Sequence, residues 1–332
     1  MQSFLAVGGG LFLLIIGGEL LVRGAVKTAE HLGVSPLLIG LTLVGFGTSA
    51  PEMAISIQAA ASGSPGIAIG NFVGSSTSNI LLILGLSAMI SPVDVASRAI
   101  SRDGSMVLMT AMAFALVSFA LPYDRTVGAA FMIWLISYLI YAWRQERVAE
   151  IEGHTAAYQK AEAYKELFEL NFRQRVYHRV RHRAVQVMPV MIAVLGLVVI
   201  VLGGKLLVDG ATQIARDYHV SEAVIGLTIV AIGTSMPEFV TSMVAAFRGH
   251  GAVAIGNILG SNIYNILAVG GATALVQPTI VPDRIIWIDN MVMVAASIAL
   301  VLFAKSGSRI SRPEGALLLT GYIVYIASMW PR

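Results

Sequence analysis

The chain carries the stretch IGLTLVGFGTSAPE at residues 39–52 and a second version of it, IGLTIVAIGTSMPE, at residues 225–238. These stretches open two longer blocks, residues 35–85 and 221–271, which align without a gap at an offset of 186 and agree at 25 of 51 positions. Later in each block, AIGNFVGSSTSNIL matches AIGNILGSNIYNIL. The chain is therefore an internal duplication.

The repeated residues include a set of polar side chains that is unusual for such an apolar chain. Only 12% of the residues are charged, 56% are hydrophobic, and the mean hydropathy is +0.78. A buried carboxylate in such surroundings is costly, and a bound cation would compensate for it. The recurring polar residues are Thr48, Ser49, Glu52, Ser75 and Asn79 in the first copy, and Thr234, Ser235, Glu238, Ser261 and Asn265 in the second.

Apolar runs of about 20 residues bounded by charges indicate helices long enough to cross a bilayer. The sequence predicts an all-α membrane protein with ten transmembrane helices. No cysteine is present, so disulfides and thiolate metal ligands are excluded. The predicted spans cover residues 4–22, 37–61, 67–90, 104–121, 126–143, 185–208, 220–246, 252–276, 285–304 and 314–330.

The distribution of basic residues predicts the orientation. If the N-terminus lies outside, 17 of the 22 lysine and arginine residues fall on the inner side, as the positive-inside rule requires. This bias also explains the pI near 9.2 without a nucleic-acid site. An offset that contains five spans inverts one copy relative to the other, as in secondary transporters. We expect a first five-helix repeat at 1–143, a cytoplasmic linker at 144–184, an inverted second repeat at 185–332, and both termini outside.

The GTS-x-PE motif predicts a broken helix that offers oxygen atoms. Pro51 lacks an N–H and crowds the carbonyl four residues earlier, which opens the turn at Thr48. Helical spacing brings Thr48 and Ser49 to the face of Glu52, and Pro237 repeats the arrangement beside Glu238. Two carboxylates with several neutral oxygens suit calcium, whereas a transition metal would favour imidazole or thiolate ligands.

The remaining repeated residues allow several interpretations. The hydroxyls and amides of Ser75, Asn79, Ser261 and Asn265 could extend the site for smaller monovalent cations, or the asparagines could join helices by hydrogen bonds. The glutamates could instead form structural ion pairs.

Three further features are expected to be structural. Gly70 with Gly74, and Gly256 with Gly260, have the spacing of close helix packing. Glu19 and Lys205 disagree at equivalent positions, which indicates side chains near opposite membrane faces. Asp289 is interpreted as a packing or interfacial residue without a counterpart in the other copy.

On these motifs, the sequence resembles the cation/calcium exchanger superfamily, and most closely its bacterial sodium/calcium antiporter branch. The resemblance implies that Glu52 and Glu238 bind calcium with main-chain oxygens at Thr48 and Thr234, and that the first and sixth helices move as a gate. Two positions depart from the family: Ser76 replaces a usual asparagine, and Asn265 stands where several exchangers carry aspartate. The resemblance implies sodium sites at Ser49, Ser75, Asn79, Ser235 and Ser261.

The sequence therefore predicts a plasma-membrane antiporter, not an enzyme, that exports Ca²⁺ in exchange for Na⁺. No cofactor is expected besides the transported ions, and no nucleic acid is expected as a partner. Calcium/proton exchange is the nearest alternative, since neighbouring desolvated glutamates favour proton binding. An intramembrane hydrolase with two carboxylates as acid and base would not explain the duplication of hydroxyls, amides and kinks together. A channel is a further alternative, and coupled flux against a gradient would distinguish an antiporter from either.

Overall fold

The computed structural model describes residues 2–32, 34–94, 100–153, 172–218, 231–307 and 309–329, and nearly all of them are helical. Two short strands, β1 (Val93–Asp94) and β2 (Arg309–Ile310), pair antiparallel. The helices are α1 (Gln2–Leu32), α2 (Pro36–Thr48), α3 (Ala50–Ala61), α4 (Pro65–Ile90), α5 (Arg102–Ala120), α6 (Arg125–Gly153), α7 (Phe172–Asp217), α8 (Ala231–Thr234), α9 (Met236–Phe247), α10 (Gly251–Val276), α11 (Ile285–Lys305) and α12 (Arg312–Met329).

Within these ranges, seven helices are long and apolar enough to cross a membrane, or eight if the bent pair α2 and α3 forms one span. Helix α12 occupies the tenth predicted span but is not among these seven. The seventh predicted span, 220–246, is described only from residue 231 onward. The predicted all-helical membrane class is confirmed, and the count of ten stays a prediction.

Several helices run further than the apolar pattern indicated. Helix α1 continues to Leu32, past the predicted end at residue 22, and α6 continues to Gly153. Helix α7 begins at Phe172, inside the segment expected to be a linker, of which residues 154–171 lie outside the described ranges. Arginine and lysine are good helix formers, so a helix can continue after its membrane-compatible part has ended.

Helices α1 and α7 pack antiparallel along a glycine seam, formed by Gly10, Gly17 and Gly24 of α1 and Gly196, Gly203 and Gly210 of α7. A Cβ added to Gly17 would lie 2.8 Å from the carbonyl oxygen of Gly196, and one added to Gly10 would lie 2.8 Å from that of Gly203. Small residues allow such backbone contact between membrane helices. Because each side of the seam meets backbone atoms, the two helices form one closely packed pair.

Several of the other described helices, including α2, α4, α6 and α9, pack against α10, which is almost entirely buried. The predicted close packing is confirmed for Gly256 and Gly260, since an added Cβ would clash with the carbonyl oxygens of Leu37 and Leu41 in α2. For Gly70 and Gly74 it stays a prediction, because the residues equivalent to Leu37 and Leu41 are 223 and 227, outside the described ranges. Helix α10 is thus the partner against which the first broken helix is held.

The connections outside the helices also obey the repeat. Strand β1 pairs with β2 through Val93 and Ile310, while Tyr123 forms an isolated bridge with Thr279, the residue 186 positions after Val93. Each copy is therefore joined to the other by a short backbone pairing.

The interpretation of Asp289 as a residue without a counterpart is wrong. Asp103 lies 186 positions earlier, and both side chains are buried. Asp103 accepts a hydrogen bond of 2.6 Å from Tyr138, and Asp289 accepts one of 3.0 Å from Tyr325. Each carboxylate also has an arginine partner, Arg102 at 2.5 Å and Arg284 at 3.6 Å respectively. These contacts make both aspartates structural links between helices.

Candidate functional site

The first broken helix bends by 41° between α2 and α3, as the proline in GTS-x-PE predicts. The interruption falls at Ser49, whose backbone remains near helical at φ −80° and ψ −2°. Pro51 occupies the first turn of α3, where the missing N–H costs little. The carboxylate of Glu52 follows one residue later, in the first turn, where the positive end of the helix dipole favours negative charge.

The second copy reproduces this geometry. Helix α8 ends at Thr234, Ser235 interrupts the helix with φ −89° and ψ 8°, and Pro237 again lies in the first turn of the next helix. Glu238 therefore has the same place in α9 as its equivalent has in α3. Glu52 is fully buried, and Glu238 is 1% exposed.

The two copies meet at these interruptions. The Ser49 hydroxyl donates a 3.4 Å hydrogen bond to Oε1 of Glu238, and the Thr48 hydroxyl lies 3.2 Å from that of Ser261. Glu52 lies three residues after Ser49, in the first turn of α3, and so adjoins this contact. The structure thus brings together five of the predicted site residues, contributed by both repeats.

Several buried oxygen atoms of this cluster have no hydrogen-bond partner among the described residues. They are both carboxylate oxygens of Glu52, Oε2 of Glu238, and the amide oxygens of Asn79 and Asn265. Buried polar atoms are normally paired, so each exception requires an explanation. An unpaired carboxylate in an apolar interior has a high free-energy cost, which a bound positive charge would offset. No basic residue provides this charge in the described part of the chain, which excludes the structural ion-pair interpretation of the two glutamates there.

Asn79 and Asn265 lie where their helices widen into π-helical turns, Asn79–Leu84 in α4 and Tyr264–Gly270 in α10. Such turns are often found at functional sites. Neither amide group of these asparagines has a partner among the described residues, so hydrogen-bonded connection between helices does not account for them there. No hydrogen bond in the described ranges joins them to the glutamates either.

The other predicted residues have less uniform surroundings. Ser75 is 6% exposed and Ser235 is 8% exposed, while Thr234 is half-buried and lines a pocket described below. Ser76, the departure from the usual asparagine, has a buried hydroxyl without a partner in the described part of the chain. Its equivalent, Asn262, donates to the carbonyl of Ile258 at 2.7 Å.

Two residues that organise the site were missed from the sequence. Asn257 donates at 3.0 Å to the Ser242 hydroxyl and at 3.3 Å to the carbonyl of Glu238, while its own Oδ1 accepts from Thr48 at 3.0 Å.

Asn71 makes the equivalent bonds in the first copy, at 3.0 Å to the Ser56 hydroxyl and 3.3 Å to the carbonyl of Glu52. Asn71 and Asn257 occupy equivalent positions in the two AIGN segments. This repetition could have identified both asparagines as site residues from the sequence. Each clamps the turn that carries a glutamate, and Asn257 also connects the two copies.

Comparison with known proteins identifies this arrangement. The profile of the family described as sodium/calcium exchanger protein matches residues 2–144 and again residues 188–330, two segments whose bounds differ by the repeat offset of 186. The chain belongs to the sodium/calcium exchanger family. It is accordingly a multi-pass integral membrane protein and a transporter of ions rather than an enzyme.

Relatives of the family resemble the chain over nearly its full length. The sodium/calcium exchanger MaX1 of Methanosarcina acetivorans is 32% identical over 99% of this chain and 98% of its own. The putative antiporter CaxA of Alkalimonas amylolytica is 35% identical over 95% of each chain. A solved structure of the sodium-calcium exchanger NCX_Mj, soaked with Na⁺ and without Ca²⁺, matches with a TM-score of 0.81, 32% identity and 99% coverage of both chains. The fold of this chain is therefore that of the exchanger.

Proposed function

We propose that the protein exports Ca²⁺ in exchange for Na⁺ by alternating access. The observation that carries this proposal is the set of buried, unpartnered oxygens from both repeats around Glu52 and Glu238. Two carboxylates match the charge of one calcium ion, and neutral oxygens suit its coordination by six to eight ligands. Sodium can occupy the same oxygens, so that the two cations exclude one another.

The ligands are assigned by their places in the broken helices. Glu52 and Glu238, with main-chain oxygens at Thr48 and Thr234, bind calcium. Sodium uses hydroxyl and amide oxygens that adjoin these groups, and both ions are substrates rather than resident cofactors. The proposed sodium ligands are Ser49, Ser75, Asn79, Ser235, Ser261 and Asn265.

The proposed architecture is ten transmembrane helices in two inverted repeats, residues 1–143 and 185–332, joined by a cytoplasmic linker at 144–184. The antiparallel contact of α1 with α7 supports inversion, because these helices begin the two copies. The close packing along the glycine seam supports their movement as one unit against the remaining helices. Both termini lie outside in this proposal, and the membrane is the plasma membrane.

Cysteine labelling tests the inversion, because the chain is free of cysteine. Ser64 and His250 occupy equivalent positions, each just before a helix and each partly exposed. In an inverted protein, Ser64→Cys reacts with an impermeant maleimide added outside the cell, and His250→Cys reacts only from the inside. Labelling of both variants from one side would refute the inversion.

Radioactive calcium uptake into proteoliposomes tests the transport function. An outward-directed sodium gradient should drive calcium uptake, and Glu52→Gln should abolish it while the protein remains folded. Dissipating the gradient with a sodium ionophore is the control. Uptake driven equally well by a proton gradient in sodium-free medium would make the proton the counter-ion instead.

A further inference from the structure

A pocket of about 220 Å³ lies between α7 and the two broken helices. One wall contains Pro51 and Pro237, the residues directly before the two site glutamates, together with Thr234. The opposite wall contains Lys205 and Asp209 of α7. The pocket therefore extends from the edge of the proposed ion site to a pair of opposite charges.

These two charged residues lie inside an apolar span. The membrane-compatible part of α7, Val187–Asp217, contains an 18-residue window with a mean hydropathy of 2.7, and Lys205 lies inside this span, 12 residues before its end. A charged side chain inside a membrane span faces protein or a water-filled cavity, or extends toward the interface.

Both charged side chains border the pocket. Lys205 and Asp209 are both exposed, and no ion pair joins them or occupies either one in the described part of the chain, although they are one helical turn apart. On its α7 side the pocket therefore has two charged side chains beside an otherwise mostly apolar lining.

The equivalent positions in α1 look different. Glu19 and Arg23, which correspond to Lys205 and Asp209 with the charges exchanged, are paired with each other. Glu19 also forms a 2.8 Å ion pair with Arg248, the residue directly after the end of α9. Helices α1 and α7 are antiparallel, and Gly9 near the beginning of α1 adjoins Leu206, the residue after Lys205. The pocket therefore lies toward the beginning of α1, whereas the ion pairs of Glu19 lie further along α1, toward its end.

We propose that the pocket is the access vestibule through which cations reach the site from the face where α1 begins, and that Lys205 and Asp209 set which cation enters. This inference rests on the proposed exchange function. The ammonium of Lys205 repels a calcium ion twice as strongly as a sodium ion, because Coulomb energy scales with charge. The carboxylate of Asp209 attracts both ions in the same proportion. Lys205 therefore favours the binding of sodium at this face over the rebinding of calcium that has been released there.

The expected magnitude follows from the charges. For a separation of about 10 Å in water, Coulomb's law gives roughly a twofold effect of one unit charge on sodium affinity and a fourfold effect on calcium affinity. Salt screens charges over about 10 Å at 0.1 M, so the measurement belongs in a low-salt medium.

The test uses membrane vesicles of both orientations. Lys205→Met should lower the half-saturating calcium concentration at the vestibule face about fourfold and that of sodium about twofold, while Asp209→Asn should raise both in the same proportion. Neither variant should change the half-saturating concentrations at the other face. Lys305→Met, which removes an exposed lysine at the end of α11, is the matched control and should change neither face.

Equal factors for the two ions, shifts in the same direction for the two variants, or effects at both faces would overturn the assignment. Labelling provides an independent readout that needs no transport. Lys205→Cys should react with a cationic, impermeant methanethiosulfonate from the vestibule face, and calcium should slow the reaction.

The two proposals can fail separately. If the wild-type protein shows no sodium-driven calcium flux, the proposed function fails, and labelling at position 205 still decides the vestibule. If the flux is present but position 205 is unreactive from either side, the vestibule is wrong and the exchange function stands.

Discussion

Replacing Glu52 by glutamine should stabilise the ion-free protein and at the same time largely remove its response to calcium. Glu52 is fully buried, and neither carboxylate oxygen has a partner among the described residues. An uncompensated buried charge costs several kcal/mol, whereas an unpaired neutral polar group costs about 1–3 kcal/mol. The ion-free Glu52→Gln protein should therefore be more stable than wild type by about 2 kcal/mol.

The calcium response follows from linkage. A ligand that binds only the folded state stabilises it by about 2.7 kcal/mol at a concentration of one hundred times its Kd. At an effective dielectric constant near 20, calcium gains roughly 13 kcal/mol of gross attraction from one carboxylate at about 2.5 Å. If desolvation offsets four fifths of this, the loss of one carboxylate still weakens calcium binding by about a hundredfold. At the same calcium concentration, the stabilisation should then fall from about 2.7 to about 0.4 kcal/mol.

Thermal unfolding in detergent, followed by the fluorescence of the four tryptophans, measures both effects with chelator and with increasing calcium. Glu19→Gln is the matched control, since Glu19 is another glutamate of a membrane helix but is paired with Arg23 and Arg248. It should lose about 1 kcal/mol at most and keep the calcium response. A Glu52→Gln protein that is less stable without ions, or that still responds to calcium like wild type, would refute the argument.

Three other outcomes are expected. Asn257→Ala should destabilise the protein by about 3 kcal/mol, roughly 1 kcal/mol for each of its hydrogen bonds, and Asn71→Ala by about 2 kcal/mol; equal losses in chemical unfolding would show that the bond to Thr48 contributes nothing. Gly17→Ala should cost about 1–3 kcal/mol by overpacking the seam, while Gly8→Ala, with no atom within 4 Å of its added Cβ, should be neutral in the same assay. Sodium should raise the half-saturating calcium concentration without lowering maximal binding in equilibrium dialysis, and a fall in maximal binding would indicate separate sites.

The sequence predicted those features that local chemistry and the repeat determine. The proline of GTS-x-PE predicted an opened turn at Thr48, and the interruption lies at the next residue, Ser49, with its equivalent at Ser235. The bond between Thr48 and Asn257 spans 209 positions, and no periodicity reports which helix faces meet. Asp103 was overlooked because the copies diverge around it, so that the shared carboxylate stands among mismatched neighbours. The lengths of α1 and α7 were underestimated because hydropathy detects only the apolar segment that can cross the bilayer. A helix continues into polar residues for as long as its backbone hydrogen bonds continue.

The glycine seam has a property that follows from the register of its two sides. Gly10, Gly17 and Gly24 correspond one for one, at the repeat offset, to Gly196, Gly203 and Gly210, so the surface that α1 offers is the surface that α7 offers. Such an interface is self-complementary, like the contact at the twofold axis of a homodimer. One copy of this helix could therefore pair with a second, identical copy through the same glycine surface. Because both copies belong to one chain, their association is intramolecular and does not depend on protein concentration.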